Sequence, residues 1–159
     1  MPGSSPGMTW LGVGAIRYYS TPVLAMMEEK MQLIAVLLAA AAGFAAGAVW
    51  YMVNGARWAA AVGRSGDEAG AERTALPFAI AIAASLLAAG LMRHVFVSGG
   101  ISGIGGGLLS GFGVGLFFVA PWIVTNHAFA GRPRALWWID GGHVVLACSA
   151  IGLVLGVFL

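Results

Sequence analysis

The chain has 159 residues, 60% of them hydrophobic and only 9% charged, against roughly a quarter charged in soluble domains, so water is not its main solvent. Eight basic and six acidic residues leave a formal charge of +2, too little to grip a nucleic-acid backbone, which excludes that partner. The single cysteine, Cys148, lies inside an apolar run and offers neither a disulfide framework nor a CxxC-type metal or redox site.

Residues 1–30 mix Pro, Gly, Ser and a few charges. They lack the cationic lead, apolar core and small-residue cleavage site of a signal peptide. Their apolar content is too low to offset the entropy of ordering, and we expect a disordered N-terminal extension. Glu28, Glu29 and Lys30 have purine-rich codons just upstream of Met31, the pattern of a ribosome-binding site, so translation is expected to begin at Met31.

Residues 31–159 hold four apolar runs, at about 31–53, 75–97, 104–126 and 135–158. The first carries no charge and makes about 34 Å of helix, enough to cross a hydrocarbon core of about 30 Å. The second meets Arg93 and His94 only near its end, where a long side chain reaches the headgroups. The third is glycine-rich, and the fourth carries Asp140 and His143 in its first third. Alternating ten-residue strands are absent, so the expected fold is all-α: four transmembrane helices in a compact bundle embedded in the lipid bilayer.

Orientation follows the basic residues, because positively charged short loops stay cytoplasmic. Arg57, Arg64 and Arg73 fall in the first loop and Arg132 and Arg134 in the third, against Arg17, Lys30 and Arg93 on the other side. Both termini are therefore expected to face the periplasm or exterior. Trp50, Trp58, Trp122, Trp137 and Trp138 then gather at the cytoplasmic headgroup level as an aromatic belt.

Glycine recurs every fourth position at Gly99, Gly103, Gly107, Gly111 and Gly115. Gly43 and Gly47 in the first span and Gly152 and Gly156 in the fourth share that spacing, which lets helix backbones approach closely. Packing within one bundle is the simpler reading of this stripe, and a homo-oligomer seam is the sharper one.

Asn54, Arg57, Asn126, His127, Arg132, Arg134, Asp140 and His143 all fall near the cytoplasmic ends of spans one, three and four, and make a candidate polar cluster. Asp140 and His143 are three apart on one helical face, just beyond the Gly131-Arg132-Pro133 turn. In the plain reading the Arg and Asn residues cap helix ends and Asp140 pairs with Arg57, Arg132 or Arg134, because an unpaired charge is costly in lipid. In the functional reading Asp140 and His143 form a proton or solute gate, with His143 titrating near neutral pH. No catalytic motif, cofactor fingerprint or metal spacing accompanies them, so no catalytic, cofactor-binding or metal residue is assigned.

The stretch Asn126 to Gly142, with Phe129, Gly131-Arg132-Pro133, Leu136 and Ile139-Asp140, resembles the signature of a bacterial membrane family known as domain of unknown function 1761. The Ala/Gly-rich first span ending Trp50-Tyr51 and followed by Gly55 and Trp58 is similar to that family's first helix, and the resemblance covers about residues 31–159. It departs in a shorter segment before Trp58 and in His143, which stands where the family has tyrosine. The resemblance implies a small four-helix protein of the bacterial inner membrane with no assigned activity. The expected role is non-catalytic, structural or interactive; the alternative is an oligomeric proton or small-solute transporter.

Overall fold

The computed structural model describes residues 22–64 and 75–159, and among them there are helices and turns but no strand. Four helices are long and apolar enough to cross a bilayer: α1 (Pro22–Ala61), α2 (Leu76–Ser98), α3 (Gly103–Phe129) and α4 (Arg134–Phe158). Their order and positions follow the four apolar runs, but α1 runs past its expected bounds of 31–53 at both ends, through Ala61 at the far end and from Pro22 at the start. Residues 22–30, expected to lack order, are the first turns of α1. Pro22 suits a first helical position, and Leu24, Ala25, Met26, Met27, Glu28, Glu29 and Lys30 are strong helix formers. Because the span that follows already carries the cost of nucleation, extending it needs little more than propensity. At 40 residues α1 is about 60 Å long and must project beyond the hydrocarbon. The expectation for residues 1–21, the rest of that extension, lies outside the described residues.

Helix α4 is the centre of the bundle, packed along its length by α1 on one side and α3 on the other, while α2 lies chiefly against α1. The α3–α4 seam is a backbone-to-backbone contact. A Cβ added at Gly115 would fall 2.7 Å from Val145 Cα, one at Gly111 would fall 3.1 Å from Gly152 Cα, and one at Gly156 would fall 3.0 Å from Ile104 Cα. Glycine spacing of four keeps these positions on one face of each helix. On the α1 side the approach is through side chains: a Cβ at Gly43 would strike Ile151 and one at Gly47 would strike His143.

The stripe in α3 does not continue at fours. Across Val114–Val119 the helix widens into a π-type turn, closed where Ala120 N–H donates to the Gly115 carbonyl five residues back. Pro121 follows at once; it has no N–H, and its ring crowds the carbonyl four residues earlier, so the ordinary ladder cannot run through it. One extra residue in a turn rotates everything downstream by about 100° relative to an unbroken α-helix. The contact face therefore passes from Gly115 to Ala120 and Val124, both of which approach Gly141 of α4.

The apolar core lies at the end of the bundle where α2 and α4 finish. Ala39 and Ala40 of α1, Ala89, Met92 and Phe96 of α2, and Cys148, Ile151 and Leu155 of α4 form one buried cluster. Phe96 and Leu155 are almost wholly enclosed. The first half of α2 behaves differently, since every residue from Leu76 to Ala84 is exposed on all faces of the helix.

Candidate functional site

At the other end of the bundle the last turn of α1, the last turn of α3 and the first turns of α4 surround a cleft of about 360 Å³ lined by Trp58, Val62, Arg64, His127, Arg132, Leu136 and Asp140. Two of its rims are built by the same local device. Gly63 (φ 75°) and Gly131 (φ 62°) take the left-handed conformation just past the ends of α1 and α3. In each case the glycine N–H and the next N–H bond back into the closing turn: Gly63 to Ala60 and Arg64 to Ala59, Gly131 to Ala128 and Arg132 to His127. This is the paired-bond helix stop that a left-handed glycine permits. Its consequence is that Arg64 and Arg132 occupy equivalent positions, each with its backbone pinned to the helix it follows. Pro133 then starts α4 without wasting a donor.

We expect Gly131→Ala to cost about 1 kcal/mol, because a Cβ in the left-handed region meets the following carbonyl. Thermal unfolding in detergent reads this out, and an unchanged midpoint would mean that the turn adapts without strain.

The floor of the cleft is a three-helix tie. The Tyr51 hydroxyl of α1 donates to Asp140 Oδ1 at 2.6 Å, and His127 Nε2 of α3 lies 2.8 Å from Asp140 Oδ2. Both carboxylate oxygens of α4 are thus engaged, one from each flanking helix. One residue away in each helix, Trp50 Nε1 donates to the Ile139 carbonyl at 2.8 Å, and the Trp50 ring lies where a Cβ on Gly142 would stand, 2.6 Å from that position. Tyr51 is held in turn by rings on both sides: His143 at 5.0 Å between centroids and Trp58 edge-on at 6.4 Å. The Arg64 guanidinium sits 5.6 Å over the Trp58 ring, a cation–π contact that keeps it at the cleft.

The expected cluster separates into parts. His127, Arg132 and Asp140 meet at the cleft. His143 lies deeper, between Tyr51 and Gly47. Asn54 turns back to donate to the Trp50 carbonyl within its own helix at 3.0 Å. Arg57, Asn126 and Arg134 are exposed and do not line the cleft. The pairing expected for Asp140 is corrected: among the described residues its ion-pair partner is His127, and Arg57, Arg132 and Arg134 make no salt bridge with it. A neutral hydroxyl and an imidazole satisfy the carboxylate within the bundle, leaving the arginines at the rim, where water and headgroups solvate them. Tyr51, Trp58 and Arg64 were absent from the expected cluster. Their signal was present in sequence, since Tyr51 and Trp58 are seven apart on one face of a helix whose continuation carries Arg64.

Four bilayer-length helices with a polar, aromatic-belted cleft at one end define a multi-pass membrane protein. A family model described as "Protein of unknown function (DUF1761)" matches residues 34–156, and the chain belongs to that family. No curated protein and no solved structure matches the chain.

Proposed function

We propose that this is a non-catalytic multi-pass protein of the bacterial inner membrane, with both termini periplasmic, whose task is to present a rigid binding cleft at the cytoplasmic face. The observation that carries this reading is the double engagement of Asp140 by Tyr51 and His127 from two other helices. A carboxylate so held fixes the geometry of three helix ends rather than offering a loose acid to a substrate. The distribution of basic residues and the level of the tryptophans support a cytoplasmic position for the cleft.

Transport is the other reading, and two features weigh against it. Beyond His143 the interior is the apolar cluster of Ala39, Met92, Phe96, Ile151 and Leu155, which gives a proton or solute no polar step toward the opposite face. The glycine stripe that would form an oligomer seam is occupied by α4 of the same chain. The test is flux in proteoliposomes. The wild-type chain should pass protons and small solutes no faster than empty vesicles; flux that Asp140→Asn abolishes would overturn the binding reading in favour of the transporter.

A further inference from the structure

The cover over α4 is uneven along its length. Asp140, Val144, Ile151 and Leu155 recur at helical spacing on one face of α4. Ile151 and Leu155 on that face are covered by the cluster to which Met92 and Phe96 of α2 belong. That cover does not extend to Asp140, since Leu76–Ala84 of α2 are exposed and no residue of α2 lines the cleft. Arg64 and Arg132 line the cleft and both are exposed.

The rim bears two guanidinium groups, Arg64 and Arg132, neither of which forms a salt bridge among the described residues. Asp140, the carboxylate in the lining, already accepts from Tyr51 and lies against His127. Two forked cations facing one opening suit a phosphate, and basic pockets between helices at the cytoplasmic surface suit anionic headgroups. A volume of about 360 Å³ is at the small end of ligand sites, large enough for a headgroup and more than a bare phosphate needs. The tryptophan belt places the rim at the depth where lipid phosphates lie.

We propose that this cleft binds the headgroup of one anionic phospholipid, its phosphate held between Arg64 and Arg132 and its acyl chains in the surrounding bilayer. This rests on the reading of the cleft as a binding site. It adds the class of ligand, and it makes the protein a reader of the charge of the leaflet in which it sits.

The test is native mass spectrometry of the full-length protein from micelles doped with equal phosphatidylglycerol and phosphatidylcholine, with a parallel arm in inorganic phosphate. The expected result is one retained phosphatidylglycerol in preference to phosphatidylcholine. Arg64→Gln or Arg132→Gln should each lower that occupancy about fivefold and the pair together about thirtyfold. Arg57→Gln and Arg134→Gln, whose side chains lie outside the cleft, should leave it unchanged, and an unaltered unfolding midpoint shows that the double variant is folded. Equal retention of the two lipids, insensitivity to the double change, or an equal loss in Arg57→Gln overturns the lipid site. Should inorganic phosphate bind in an Arg64- and Arg132-dependent manner without any lipid preference, the lipid inference falls while the binding cleft stands. If neither ligand responds to these arginines, both readings fall together.

Discussion

Gly111→Val is expected to be the most damaging single substitution in the described part of the chain, lowering stability by about 3 kcal/mol, the upper end of ordinary overpacking penalties. The reason is the nature of the obstacle. A Cβ at Gly111 points at the backbone of Cys148 and Gly152, atoms that belong to the central helix and cannot rotate out of the way. Relief requires α3 and α4 to separate, which gives up close contacts along the seam from Gly107 to Gly156 as well as at the mutated position. In lipid there is little hydrophobic drive to restore that contact, so dispersion lost along the seam is not recovered elsewhere. Gly90→Ala supplies the comparison: nothing lies within 4 Å of its added Cβ, and a helical alanine should be neutral or stabilising by about 0.5 kcal/mol. Unfolding by titration with a denaturing detergent measures both. Equal midpoints for the two variants would mean that the helices do not meet as closely as the backbone positions indicate.

The second large effect is expected at Asp140. Replacing it with alanine removes the acceptor of Tyr51 and the partner of His127 at once, leaving two part-buried polar groups unpaired and three helix ends untied. We expect a loss of about 2 kcal/mol, since hydrogen bonds to an ionised group contribute more than neutral ones and the groups left behind remain partly desolvated. With 16% of its side chain exposed, Asp140 should not reach the larger penalty of a fully enclosed charge. Tyr51→Phe alone should cost about 1 kcal/mol, and the Tyr51→Phe/Asp140→Ala double variant should fall short of the sum by a similar amount, the mark of a direct interaction. Strict additivity would count against the bond. Asp140→Asn should retain most of the stability, because an amide still accepts from Tyr51 and donates toward His127. This is why it is the suitable probe for flux.

The overall architecture was legible from local composition. A bilayer obliges each crossing segment to satisfy its own backbone and to be apolar along some twenty residues, so four apolar runs announce four helices with no knowledge of their neighbours. The turn at Gly131-Arg132-Pro133 was similarly legible, because stop and start signals act within a turn. Helix α1 outruns its apolar stretch at both ends, because propensity and continuity with a stable span, rather than polarity, decide whether Pro22–Lys30 and the residues after Val53 are helical.

Long-range partners are another matter. Glycine spacing announces a face that permits close approach, yet an i+4 pattern carries no address, and only the fold shows that α3 meets α4 along that face. Charge matching suggested arginine for Asp140; the actual partners, Tyr51 and His127, depend on the rotation of two other helices. For His127 that rotation is set by the widened turn at Val114–Val119, a change of about 100° that leaves no mark in the apolar pattern beyond Pro121. By itself, then, the sequence determined the solvent, the number of helices and the apolar segments that cross, since each depends on interactions within one segment. The tertiary structure alone decided which faces meet, which side chains satisfy Asp140, and that Arg64 and Arg132 flank one cleft, because these depend on how separate helices are turned and set against each other.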